Sequence, residues 1–482
     1  MLLDKRKILF KGIFSFIVAA IFVPIFSFTT SFLYPYHSFL DSQLFQIIGK
    51  YWTQGYLPYT DLWDSKGPLI YFINAIGYTI CPSMAGVLIV QIVFLTFTIY
   101  ISYSFIRKYL SKAQTILVIF AMLGNLAFMY DGGNMTEEYI LPLLVMATMM
   151  QYSWTIQESK NNHKPIFSFV YGLVLSFSFL TRLSNAIGII LFFIFIISCL
   201  VYYREWKNLL KNIVFFLIGF SILVVPFFIY FIVKGTFYDM FYSTIIFNFK
   251  YTYYSYYTLP ETTKELFAVF VPFINCILLI LFSINNIIRK SNKEYIVWGI
   301  VSFIMMIWFF KINAYKHYYI ITLPLFLVFI ISIRIKKIII CISFFFILCG
   351  IYRIYSNTTL FNYKQKYIEE DYGKIMDEIP LKDRNNMVAY NCDPYLYLYY
   401  NIKPYYPLFS EFCRQSSQDD NMYNRIIDTY SKGNVKWIIV NNDTENISIK
   451  NILYQRYTLI SEKDNIKLYR IKESNSTPAS AQ

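Results

Sequence analysis

Stretches of roughly 20 mostly apolar residues dominate this chain, and a helix of that length matches the about 30 Å hydrocarbon core of a bilayer. Eleven candidate spans run approximately over 9–32, 84–106, 113–130, 139–157, 166–181, 185–203, 212–233, 265–288, 295–310, 318–333 and 338–354. Of the 482 residues, 57% are hydrophobic and 15% charged. Soluble domains carry about 25% charged residues. A soluble enzyme, a disordered chain and a secreted disulfide scaffold are thereby excluded. The expectation is a polytopic α-helical membrane protein with about 11 transmembrane helices.

The 43 Lys and Arg exceed the 29 Asp and Glu, giving a formal charge of +14. A nucleic-acid binder gathers such an excess on one soluble face. Here the cations form short clusters between apolar blocks, so no nucleic-acid partner is expected. The clusters are Lys5–Lys7 with Lys11, Arg107–Lys108 with Lys112, Lys160 with Lys164, Arg204 with Lys207 and Lys211, Arg289–Lys290 with Lys293, and Arg334 with Lys336–Lys337. They occupy alternate, short connections, which read as cytoplasmic. The N-terminus is therefore expected in the cytoplasm and the C-terminal segment outside it.

Residues 1–354 then make a membrane domain whose first exterior loop, 33–83, carries interfacial helices. Residues 355–482 read as a small α/β extracytoplasmic C-terminal domain. Strand-like runs at 387–392 and 435–441 flank a helix-like stretch, Asp419–Ser431, and a hairpin-like end covers 457–472. The seven cysteines give no disulfide framework, though a Cys392–Cys413 bridge is one option. The first apolar block is long and no small-residue cleavage site follows it, so it is expected to stay as a span.

The first exterior loop holds the most informative residues. Asp41 opens a run in which Phe45, Ile48 and Trp52 recur at helical spacing, which predicts a helix lying at the membrane interface. Capping alone favours a carboxylate in such a first turn. After the turn Gly55–Tyr59 come Asp61, Trp63, Asp64, Lys66, Gly67 and Pro68. Solvated charges beside interfacial rings would account for them. Yet Asp61 and Asp64 fall close to Lys66 just where the chain returns to the membrane. In the second exterior loop, Thr136 is placed to cap the fourth span, and Glu137 and Glu138 follow it. Arg182, Lys250, Lys316 and His317 stand at outer span ends. Snorkelling explains each cation alone, but ionisable groups there are costly. Together these groups suit an anionic phosphate held by cations beside a carboxylate that handles protons.

No Walker loop, G-x-G-x-x-G or H-E-x-x-H occurs. The energy for any group transfer must then arrive with the substrate. With three histidines, His37, His163 and His317, a His-rich metal site is not expected, although His37 lies four residues before Asp41 and leaves a divalent metal open.

The segment Gly55–Leu69 reads G-x-x-P-Y-x-D-x-W-D-x-K-G-P-L. With Asp41 and an interfacial helix before it and the acidic Glu137–Glu138 loop after it, it resembles the GT-C-type integral membrane glycosyltransferases, the group of the lipid A aminoarabinose transferase and the protein O-mannosyltransferases. The first loop carries the resemblance, and the middle spans match only in hydropathy. The resemblance implies transfer of a hexosyl or pentosyl group from a polyprenyl-phosphate donor to an acceptor hydroxyl outside the membrane, with inversion. The acceptor would be a glycan, a glycolipid or a protein, and the location a bacterial inner or plasma membrane. Asp41 matches the presumed general base and Lys66 the lysine that contacts the donor phosphate. Asp64 and Glu138 are then further catalytic candidates, Arg182, Lys316 and His317 candidate phosphate ligands, and Asp61, Glu137 and Lys250 additional candidates. Ser65 stands where the family has an acid that can take part in a metal site, so no cofactor is certain. A transporter or flippase of lipid-linked saccharides tends to show internal repeats and broken mid-membrane helices. A polymerase would place arginines in large mid-chain exterior loops, and a scaffold would leave the first-loop charges without a role.

Overall fold

The computed structural model describes residues 2–34, 40–253, 263–289, 295–311, 315–358, 372–409, 419–441, 447–463 and 465–472. Apolar helices dominate: α1 (Leu2–Phe26), α4 (Met84–Ile106), α5 (Lys112–Met129), α6 (Thr136–Thr155), α7 (Pro165–Phe179), α8 (Ile187–Tyr202), α9 (Trp206–Val233), α12 (Thr263–Ile288), α13 (Tyr295–Lys311), α14 (Leu323–Ser332) and α15 (Lys336–Thr358). Between α1 and α4 lie the shorter α2 (Leu40–Trp52) and α3 (Pro68–Ile80). After α9 come α10 (Phe237–Phe241) and α11 (Phe247–Tyr253), joined by a π-helical turn over Tyr242–Ile246. A helix coincides with each of the eleven apolar blocks. Among the described residues, six are long and apolar enough to cross a membrane by length and composition: Arg6–Phe26, Met84–Ile106, Lys112–Met129, Leu183–Tyr202, Trp206–Val233 and Lys336–Tyr355.

The first block is apolar to residue 32, but α1 stops at Phe26. Side-chain hydroxyls decide the stop. Ser27 and Thr30 both donate to Gln91 Oε1, and Thr29 bonds the second loop through its backbone N–H to Gly132 O at 3.0 Å and its hydroxyl to Gly133 O at 3.1 Å. Small residues set the closest helix contacts, as expected where neighbouring helices must approach backbone to backbone. A Cβ on Gly124 of α5 would lie 2.0 Å from Phe346 O of α15, and one on Gly172 of α7 would lie 2.1 Å from Phe216 O of α9.

One end of the bundle gathers the basic connections. Lys112 Nζ lies 4.3 Å over the Phe10 ring, Lys11 Nζ reaches Ser104 Oγ at 3.5 Å, and Asn208 Nδ2 donates to Asn162 Oδ1 at 2.9 Å. The other end brings together α2, α3, the 130–135 loop, Arg182 and the 3-10 turn Lys316–Thr322.

After α15 a four-stranded sheet forms from β1 (Met387–Tyr390), β2 (Trp437–Asn441), β3 (Tyr457–Lys463) and β4 (Ile466–Ile471) in the order β1-β2-β4-β3. β1 and β2 are parallel, and β4 is antiparallel to both its neighbours. Helix Asp420–Ser431 lies in the crossover between the parallel pair, as such a pair requires a long connection. This unit sits on the first loop. Lys50 Nζ donates to Asn401 Oδ1 at 2.6 Å, and Lys403 Nζ lies 4.0 Å over the Tyr56 ring. His37 and Cys413 lie outside the described residues, as therefore does any Cys392–Cys413 bridge.

Candidate active site

Local chemistry fixes Lys66 before any tertiary partner does. Asp61 Oδ2 accepts from Leu57 N at 2.7 Å and closes the turn. Tyr59 then adopts a φ of 74°, and its N–H bonds Leu62 O at 2.7 Å. This turns the Tyr59 ring inward, where its hydroxyl donates to Lys66 O at 2.8 Å. The Tyr71 hydroxyl bonds the same carbonyl at 3.2 Å and Asp64 Oδ2 at 2.9 Å. The following Gly67 lies flat on the end of α7. Its N–H donates to Thr181 O at 3.0 Å, Leu69 N donates to Leu180 O at 2.9 Å, and a Cβ on Gly67 would come within 2.2 Å of Leu180 C and O. Only glycine permits that approach, and it seats Lys66 beside Arg182, two residues beyond Leu180.

Lys66 Nζ lies 3.5 Å from Asp41 Oδ2, with the two side chains 23% and 28% exposed. Asp41 occupies the first turn of α2, as its helical spacing predicts. Arg182 Nη1 lies 3.1 Å from Glu137 Oε1, a carboxylate that is almost fully buried. The same guanidinium sits 3.1 Å from the centre of the Tyr318 ring. The Tyr318 phenol is within electrostatic reach of Arg182, Lys66, Asp41 and Glu137 together. His317 Nδ1 faces Asp131 Oδ2 at 3.3 Å. The result is two cations, Lys66 and Arg182, around one partly open carboxylate.

The titrations follow from this arrangement. Burial alone would raise the Asp41 carboxyl, but Lys66, His317 and Arg182 together hold it below the usual aspartate range. Burial raises Asp64 above that range against the pull of Lys66, and the Asp41 charge adds to the rise. Burial would lower Lys66, yet Asp41 and Asp64 raise it, so it stays charged. Two nearby carboxyls pushed in opposite directions are a common sign of divided roles.

Several sequence candidates are not brought to this pair. Asp61 is exposed and serves the turn. Lys250 is exposed and donates to the Tyr242 hydroxyl at 3.3 Å. Lys316 shares its surroundings with Asp131 and Arg353 rather than with Lys66. Thr136 does not cap α6. The Ncap is Met135, whose N–H is taken by Glu138 Oε1 at 3.0 Å. Glu138 Oε2 accepts from Gln91 Nε2 at 3.0 Å and from the Tyr130 hydroxyl, so Glu138 anchors buried structure while its neighbour Glu137 faces Arg182. Asn134 completes the support. At a φ of 65° its Nδ2 donates to Asn74 Oδ1 and Ser42 Oγ at 3.0 and 3.1 Å, tying the second loop to the residue after Asp41. Sequence reasoning passes over Tyr318, Asp131 and Arg353. A cation inside the last apolar block was the available signal for Arg353. Among the described residues, no group of three or more His, Cys, Asp or Glu is placed to hold a metal ion.

No protein-family model matches the chain, and no curated protein matches it. Solved structures do. The crystal structure of ArnT from Cupriavidus metallidurans bound to undecaprenyl phosphate is similar with a TM-score of 0.60 at 10% identity, over 94% of this chain and 97% of that one. The apo state of the same protein gives the same TM-score and identity over 94% and 96%. The oligosaccharyltransferase of Archaeoglobus fulgidus, in complex with Zn and sulfate, reaches a TM-score of 0.43 at 11% identity over 95% and 73%, too loose to carry an argument. At such identity the likeness speaks to the fold. The chain shares the overall fold of the ArnT structure.

Proposed function

We propose that this protein is an integral membrane glycosyltransferase that moves a sugar from a polyprenyl-phosphate donor to an acceptor hydroxyl, with inversion. The observation that carries the reading is the Lys66–Asp41 pair at 3.5 Å, with Arg182 beside it, on the ArnT-like fold. That the similar ArnT structure holds undecaprenyl phosphate supports the donor class. The eleven apolar blocks all cross the membrane in this reading, with the N-terminus cytoplasmic. The first loop and the C-terminal unit then lie on the outer face, where the acceptor is a glycan, a glycolipid or a protein.

The residues divide the work as follows. Lys66 and Arg182 face the donor phosphate and stabilise the charge it gains as its bond to the anomeric carbon breaks. The acceptor oxygen forms the new bond from the opposite side, and Asp41 takes its proton. By analogy with glycoside hydrolysis, the transition state is oxocarbenium-like, so a negative carboxylate beside it also helps. Glu137 and the Tyr318 ring hold the Arg182 fork in place. Lys66 couples the two halves of the reaction. In the free enzyme it pairs with Asp41 and weakens it as a base. An incoming phosphate draws Lys66 away, and Asp41 becomes more basic only when the donor is present.

Proteoliposomes supplied with a panel of polyprenyl-phosphate sugars and envelope-derived acceptors test the reading. Product of inverted anomeric configuration from the wild type, absent with Asp41→Asn, is expected. Equal turnover by both proteins would remove Asp41 from the chemistry.

A further inference from the structure

The donor site reaches further than its charged residues, because one bracket grips the backbone on either side of Asp64. From the 242–248 turn, Ser243 Oγ accepts from the Trp63 indole N–H at 3.1 Å, and Asn248 Nδ2 donates to Ser65 O at 2.7 Å. The Trp63 ring meets the Phe247 ring edge to face at 5.1 Å between centroids. Asn248 Nδ2 also bonds Ser243 O at 3.3 Å and Thr244 O at 2.9 Å, stitching the π-helical turn to the helix that follows it. The C-terminal unit holds the other side. Pro407 O accepts from Trp63 N at 3.0 Å. Asp419 Oδ1 caps helix Asp420–Ser431 through Asn421 N and Met422 N, while its Oδ2 accepts from the Tyr242 hydroxyl at 2.6 Å. Lys250 donates to that same hydroxyl.

We infer that the C-terminal unit and the 242–248 turn act as one clamp that sets Lys66 for the donor phosphate, with Asn248, Ser243 and Trp63 as positioning residues. The inference deepens the proposed function and rests on it. Trp63 and Ser65 bracket the segment that enters Lys66, so releasing either lets Lys66 drift from the phosphate. The clamp links the sheet unit to the segment that carries Lys66, and it gives the unit a part in donor binding beyond any contact with acceptor.

The test is a double-variant cycle on full-length detergent-solubilised protein, reading the affinity for undecaprenyl phosphate. Loss of the Asn248 amide or of the Ser243 hydroxyl is expected to weaken binding about three- to tenfold in Asn248→Ala and in Ser243→Ala. Ser243→Thr keeps the hydroxyl and is expected to restore the wild-type affinity. In a Lys66→Ala background, Asn248→Ala is expected to cost nothing more, because its effect runs through Lys66. Tyr242→Phe leaves the first-loop contacts in place, removes the link to Asp419 together with the exposed Lys250 contact, and is expected to weaken binding as well. Unchanged affinity in Asn248→Ala and Ser243→Ala, or full additivity with Lys66→Ala, overturns the clamp while leaving the donor reading intact. Absence of binding by the wild type would instead overturn the donor reading itself.

Discussion

The Arg182 guanidinium rests 3.1 Å from the centre of the Tyr318 ring while one of its nitrogens meets the buried Glu137 at the same distance. A planar fork held by a ring on its face and a carboxylate at its edge has little freedom left to lose when an anion arrives. Lysine, a point charge without a flat face, cannot stack on the ring and present a fork to the carboxylate at the same time. Arg182→Lys is therefore expected to weaken donor binding about tenfold, in line with cation–π contacts worth about 1–2 kcal/mol when desolvated. Tyr318→Leu should weaken it similarly, and Tyr318→Phe, which keeps the ring, should weaken it less. Titration with undecaprenyl phosphate measures all three.

The pH profile carries the sign of the Asp41 arrangement. Its carboxyl lies below the usual aspartate value of 3.8, so it stays ionised until the pH falls through that depressed value. The acid limb of kcat/KM, which reports the free enzyme, is expected below the ordinary carboxylate range. The limb of kcat, which reports the donor complex, is expected at higher pH, because the phosphate has drawn off Lys66. Lys66→Ala should move the kcat/KM limb upward, since burial then acts on Asp41 with less opposition. Coincident limbs in the wild type would contradict the coupling.

Gly67→Ala tests the seating of Lys66 without touching a charge. The backbone dihedrals at Gly67, φ −67° and ψ 156°, suit alanine, so the cost is steric and comes from Leu180. Overpacking of this kind costs about 1–3 kcal/mol. A lower thermal midpoint and a larger loss of donor affinity than in Gly55→Ala are expected. Gly55 is the fit control for space, with nothing near a Cβ, although its φ of 92° adds some backbone strain.

Glu138→Gln separates structure from chemistry. Glu138 accepts from three donors, so an amide there turns an N–H toward groups that themselves donate. Leaving a buried donor unmet costs about 1–3 kcal/mol. A lower unfolding temperature with turnover per folded molecule unchanged is expected, read from thermal unfolding and a transfer assay on the same preparation.

How far the sequence alone leads differs from residue to residue. The helix carrying Asp41 is legible from its spacing, and β1 and β2 of the C-terminal unit are legible as short apolar runs that the sheet buries. The helix end at Phe26 is not legible, because apolarity continues past it and hydroxyl bonding to a distant loop decides. Glu137 and Glu138 are indistinguishable by pattern. Successive helical residues point about 100° apart, so one meets Arg182 and the other turns to Gln91. Tyr318 is one of 45 tyrosines, and nothing local marks it out. The pairing of Lys66 with Arg182 depends on Gly67 meeting Leu180, a contact between segments far apart in the chain.

The most direct test is a cryo-electron-microscopy map of the full chain with undecaprenyl phosphate. Phosphate density touching Lys66 Nζ and the Arg182 guanidinium, with Lys66 drawn away from Asp41, is the predicted result. Phosphate bound elsewhere, with the Lys66–Asp41 pair undisturbed, would contradict the account.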